Sequence, residues 1–92
     1  TRKAVEFVRE RASTGQPFFL YLPLASPHTP ILPSAAWQGR SGLGAYGDFV
    51  METDWSVGEV LAALDQAGVA SNTLVIVPSD NGCSPRAGIP EL

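Results

Sequence analysis

Val75-Ile76-Val77-Pro78-Ser79-Asp80-Asn81-Gly82 is the stretch on which the fold reading turns. Thr73 to Val77 is a short uncharged run of β-branched and aliphatic residues, the pattern of a strand buried on both faces. The run stops at Pro78, and Gly82 lets the backbone turn. Asp80 and Asn81 therefore fall at the C-terminal tip of the expected strand. A carboxylate beside a carboxamide offers the hard oxygen ligands that calcium or magnesium takes. Asp, Asn and Gly are also ordinary turn residues, so the stretch alone reads first as a strand-ending turn.

The residues before it form the clearest helical pattern of the chain. Between Tyr46 and Ala67, the positions Val50, Thr53, Asp54, Val57, Val60, Leu61 and Leu64 recur at helical spacing. Asp48 and Glu52 lie near its start, where the helix dipole favours negative charge. Gly68 is placed to follow the last turn, with Val69 as the apolar contact of a C-terminal motif. Gly58 costs on the order of 1 kcal/mol against alanine in mid-helix, a cost that close helix–sheet packing would justify. Asp54 lies on or beside the apolar face and is expected to be satisfied by a nearby loop backbone.

Further upstream, Phe18-Phe19-Leu20-Tyr21-Leu22 is an uninterrupted apolar run and predicts a second doubly buried strand. Arg2 to Ala12 predicts a helix with Ala4, Val5, Phe7, Val8 and Ala12 mainly on one face. No N-cap precedes that pattern, which places its start upstream of Thr1, and Gly15 with Pro17 ends it. Pro23 to Gly44 is a long proline- and glycine-rich loop with Trp37 as its lone large aromatic. A loop of that length is either functional or a surface excursion pinned by Trp37.

Strand, helix and strand in this order predict an α/β unit with parallel strands joined by a right-handed crossover. Parallel strands end on one edge of a sheet, where ligands of open α/β sheets bind. That topology would bring His28, the single histidine, to the side that carries Asp80 and Asn81. Pro27 and Pro30 stiffen the backbone around His28. A lone histidine is commonly structural, and the expected convergence with Asp80 is what makes it a functional candidate.

Charge and composition narrow the classes. A net charge of −3 gives no reason to expect nucleic acid or an anionic membrane surface. No apolar run approaches the roughly 20 residues that span a bilayer. Thr1-Arg2-Lys3-Ala4 opens directly into the helical pattern, without a signal-peptide core. The single cysteine, Cys83, cannot form an internal disulfide and leaves the compartment open.

In order, Phe18–Leu22, Ser26-Pro27-His28-Thr29-Pro30, Asp54 with Val57-Gly58, and Ser79-Asp80-Asn81-Gly82 resemble the sulfatase family, arylsulfatase A-like branch. The resemblance runs from Phe18 to Pro85 and rests on the ordered set of motifs. It implies a parallel strand–helix–strand segment of an alkaline-phosphatase-like domain hydrolysing sulfate esters. By the same resemblance, Asp80 and Asn81 help bind calcium (magnesium is the other option), and His28 contacts the sulfate and assists departure of the alcohol. The family's nucleophile is a formylglycine made within a C-x-P-x-R motif. Cys83-Ser84-Pro85-Arg86 departs from that motif, because its arginine comes one residue early and it follows the metal-binding strand. Pro78 stands where a hydroxyl residue is expected, and the N-terminal metal carboxylates and a downstream basic residue have no match.

These readings predict residues 1–92 to be a single incomplete sulfatase catalytic domain. The formylglycine nucleophile is expected outside the chain, and the isolated chain is expected to be inactive. The remainder of the domain, or self-association, would cover the exposed sheet edges. Two alternatives stand beside this: a phosphoryl-transfer hydrolase of the same superfold, and a non-catalytic packing or interaction module derived from one.

Overall fold

The fold is given by a computed structural model that describes residues 1–83 and 85–87. Its regular elements are α1 (Arg2–Thr14), α2 (Gly44–Gln66) and two short 3₁₀ turns at Ala70–Asn72 and Pro85–Ala87. The described residues form two compact units. The first comprises Thr1–Pro23 and Trp55–Ile76, and the second residues 24–54 with 77–83 and 85–87.

The first unit is held by apolar packing between α1 and the second half of α2. Val8, Ala63 and Leu64 are its buried centre, and Val5, Phe18, Leu20, Val60, Val69 and Ala70 pack around them. Burying a valine or leucine side chain contributes about 1.5–3 kcal/mol, so a few such residues dominate this unit. The Phe7 ring meets Phe18 edge to face, with centroids 5.9 Å apart. Polar contacts border the apolar ones: Thr1 Oγ1 lies 2.8 Å from Ser56 Oγ, and Arg9 donates to Gln66 Oε1 at 3.3 Å.

Both helices end as their sequences predict. Gly15 takes a left-handed conformation after α1, with φ 67°. After α2, the Gly68 N–H bonds the Asp65 carbonyl and the Val69 N–H reaches back to the Leu64 carbonyl. This is the Schellman arrangement, and Val69 adds the apolar contact with the Leu64 cluster.

The expected parallel strand–helix–strand segment is not formed: there is no strand among the described residues. Phe18–Leu22 has no regular secondary structure, and its residues alternate between contact with the core and exposure. Phe18 and Leu20 pack on the core cluster, whereas Phe19 is 85% and Tyr21 77% exposed. In the second run, Leu74 is 86% and Ile76 74% exposed. β-Propensity describes how side chains suit a pleated surface, whereas a strand is made by the ladder it shares with a neighbour. Among the described residues neither run has such a neighbour, and neither is buried on both faces.

The packed face of α2 differs from the hydropathic stripe. Ser56, Ala63 and Leu64 are buried and Val60 packs beside them, while Val50, Asp54 and Leu61 are exposed. Gly58 is exposed, and a Cβ added there would meet nothing within 4 Å, so among the described residues it serves no close packing. Among the described residues, no helix is long and apolar enough to cross a membrane.

Candidate functional site

His28 sits in a turn closed by its own N–H, which donates to the Ala25 carbonyl at 3.1 Å. The flanking Ser26–Pro27 and Thr29–Pro30 peptide bonds are both cis. The imidazole is exposed, and its Nδ1 lies 2.8 Å from the Thr29 carbonyl oxygen. A carbonyl only accepts, so Nδ1 carries the proton in this contact. Nε2 is then the nitrogen that remains to meet a ligand.

The loop bearing His28 is fastened to the first half of α2 by polar side chains. Thr53 Oγ1 lies 2.9 Å from Ser26 Oγ, and Glu52 Oε2 accepts from the Ser34 N–H at 2.9 Å. Asp48 does most: Oδ2 accepts from the Gly39 N–H at 2.7 Å, and Oδ1 accepts from the Ser41 N–H at 2.8 Å and its hydroxyl at 2.7 Å. Asp48 is only 3% exposed. The Ser41 N–H, the Ser41 hydroxyl and the Gly39 N–H hold its carboxyl below the usual carboxylate range, because each bond favours the charged form.

Gly47 belongs to the same nook. A Cβ at this position would lie 2.7 Å from Ser41 Oγ and 2.9 Å from Leu43 Cβ, so only glycine admits the loop this close. From the sequence, Asp48 is expected to meet the helix dipole and Asp54 to be the carboxylate satisfied by a loop. The structure exchanges them: Asp54 is exposed, and Asp48 lies beyond the first turn of a helix that begins at Gly44. The available signal was the glycine-rich run from Gly39 to Gly44, immediately before a carboxylate one turn into the helix.

Asp80 and Asn81 lie in an exposed bend after the extended run. The Ser79 hydroxyl donates to the Asn81 carbonyl at 2.6 Å, and Asn81 Nδ2 donates to the Gly82 carbonyl at 2.7 Å. The second bond leaves Asn81 Oδ1 to act as an acceptor or ligand. With no strand among the described residues, topology does not bring His28 to Asp80. Both residues do belong to the second compact unit, though among the described residues no hydrogen bond or ion pair links them. Cys83 is an exposed free thiol, and Ser84 of the Cys83–Arg86 run lies outside the described residues.

Comparison with known proteins follows the motifs rather than any single bond. The family profile named Sulfatase matches residues 1–90, which takes in His28, Asp80 and Asn81. The chain belongs to the sulfatase family. It is 39% identical over 82 residues to an N-acetylgalactosamine-6-O-sulfatase of Bacteroides thetaiotaomicron, covering 89% of this chain and 16% of that protein. It is 46% identical over 80 residues to a steryl-sulfatase of Rattus norvegicus, covering 87% of this chain and 14% of that protein. It is 48% identical over 67 residues to the human arylsulfatase H, covering 73% of this chain and 12% of that protein. The chain thus spans about one sixth or less of the curated relatives it matches. No solved structure matches it.

A sulfatase implies a metal, and the donors present suit a hard divalent cation in kind. Asp80 supplies a carboxylate and Asn81 a free amide oxygen. They fall short in number, since calcium takes six to eight oxygen ligands. Among the described residues, no group of three or more His, Cys, Asp or Glu side chains could hold a metal ion.

Proposed function

We propose that this sulfatase-family chain is part of a single catalytic domain that hydrolyses sulfate esters, with residues 1–92 an incomplete portion of it. In this reading Asp80 and Asn81 supply two of the metal's oxygen ligands, and His28 touches the substrate. The observation that carries it is the family match over residues 1–90, which includes all three residues. The relatives' names specify different sulfated compounds, so the substrate class is kept at sulfate esters.

The reaction adds water across an S–O bond, releasing an alcohol and sulfate. Calcium or magnesium, when bound, neutralises negative charge developing on the sulfate and its attacker. Asp80 would hold it through a carboxylate, and Asn81 through Oδ1. His28 is oriented by the bond from Nδ1 to the Thr29 carbonyl. A protonated Nε2 could then give its proton to the departing alcohol oxygen or pair with a sulfate oxygen. Such general-acid help contributes about 10²–10⁴-fold. The formylglycine nucleophile is placed outside these residues, because Cys83 lacks the family's spacing to arginine.

The test is alkyl sulfate hydrolysis by the full-length protein and its variants, with bound calcium measured by elemental analysis. His28→Ala is expected to lower the rate about 10²–10⁴-fold with calcium retained. Asp80→Ala is expected to lose both calcium and activity. Full activity in Asp80→Ala, or turnover by the isolated 92-residue chain, would sink the assignment.

A further inference from the structure

We propose that Thr53 is a positioning residue for the reaction, fixing through Ser26 the turn that carries His28. The inference rests on the reading that His28 touches the substrate. His28 is exposed, so tight apolar packing does not set where its ring points. A series of hydrogen bonds joined by the short backbone of the turn leads from the ring back to α2.

The series starts on the helix backbone. Thr53 Oγ1 lies 2.8 Å from the Phe49 carbonyl, four residues earlier, and 2.9 Å from Ser26 Oγ. The hydroxyl has one proton, and the carbonyl can only accept. Thr53 therefore donates to Phe49 and accepts from the Ser26 hydroxyl. The bond to Phe49 also fixes the direction of the remaining lone pairs, and the β-branched side chain has few other rotamers. Ser26 in turn lies inside the Ala25–His28 turn, closed by the His28 N–H at 3.1 Å. The ring is then tied at Nδ1 to the Thr29 carbonyl at 2.8 Å. Removing the Thr53 hydroxyl frees the turn without opening a cavity, because valine has nearly the same shape.

A misplaced acid shows itself by leaving group. An alkyl alcohol leaves poorly without a proton, whereas 4-nitrophenol leaves well without one. Full-length protein is assayed on an alkyl sulfate and on 4-nitrophenyl sulfate, as Thr53→Val, Thr53→Ser, Ser26→Ala and His28→Ala, with urea midpoints confirming the fold. Thr53→Val is expected to lower kcat/KM on the alkyl sulfate by roughly 10-fold to 10²-fold and to act several-fold less on 4-nitrophenyl sulfate. Thr53→Ser should restore both, and Ser26→Ala should reproduce the bias even where Thr53→Val folds poorly. Equal losses on the two substrates in Thr53→Val and Ser26→Ala, or no loss, would overturn the inference. The His28→Ala control separates the two levels. If His28→Ala itself shows no leaving-group bias, the acid role of His28 falls and the positioning of an acid with it; if it shows the bias and Thr53→Val with Ser26→Ala do not, only the positioning role falls.

Discussion

The two halves of α2 are held to their surroundings by opposite chemistry. From Ser56 to Leu64, contact is made by apolar or small side chains, with Ala63 and Leu64 closing over Val8. From Asp48 to Thr53, contact is made by a carboxylate, a second carboxylate and a hydroxyl, each reaching a loop backbone or loop hydroxyl. Apolar contact is nondirectional and scales with area. The polar contacts are directional and fix which loop atoms meet the helix. The first arrangement therefore supplies most of the stability, and the second supplies the shape of the loop that carries His28.

Substitutions can test that division. Leu64→Ala should be the most damaging, costing about 2–5 kcal/mol as a core truncation. It should appear as a fall in the urea midpoint together with loss of protection at α1 amides. Protection that disappeared equally at Gly39 and Ser41 would show that the two halves are not distinct. Gly47→Ala sets two effects against each other. Helix propensity favours alanine by about 1 kcal/mol, but forcing a methyl group into a filled space costs about 1–3 kcal/mol. The contact falls on Leu43 Cβ as well as on Ser41 Oγ, so side-chain rotation cannot relieve it, and a net loss is expected. Faster amide exchange at Gly39 and Ser41 checks it, and unchanged exchange would show that the loop does not depend on this approach.

The smallest effect is the response to acid. The Asp48 carboxyl is held below its ordinary value in the folded chain, chiefly by Ser41. Its contribution is therefore fully present above the unfolded carboxyl's titration near pH 4 and is lost as pH falls through the lower folded value. Resonances of Gly39 and Ser41 should shift only below about pH 4, and the step should vanish in Asp48→Asn. A step centred above that range would mean that the nook does not stabilise the charged form.

How much of this was legible follows from the same contrast. Helix ends were, because Gly15 and Gly68 carry the conformational signal themselves, and α1 and α2 were placed to within a few residues. The strands were not. Phe18–Leu22 and Thr73–Val77 have the composition of strands, but a strand's existence depends on a neighbour that local sequence does not contain. The Asp48 nook was hidden for a related reason. Its donors are backbone N–H groups, which look alike at every position, and only glycine clustering marks where they become available. His28, Asp80 and Asn81 stand as candidates on their motifs, in family order, while the sheet edge expected to unite them does not exist among the described residues.

The separation of contacts along the chain bears on the order in which it folds. The Asp48 bonds close over seven to nine residues, whereas Thr1 meets Ser56 and Arg9 meets Gln66 across 55 and 57. Loops of about ten residues close in roughly 10–100 ns, so the nook can assemble as soon as its residues leave the ribosome. The apolar face of α1 emerges first and has to wait for Ala63 and Leu64. At roughly 5–20 residues per second, synthesis leaves Ala4 and Val8 uncovered for on the order of several seconds. That interval leaves the α1 face open to a chaperone acting during translation.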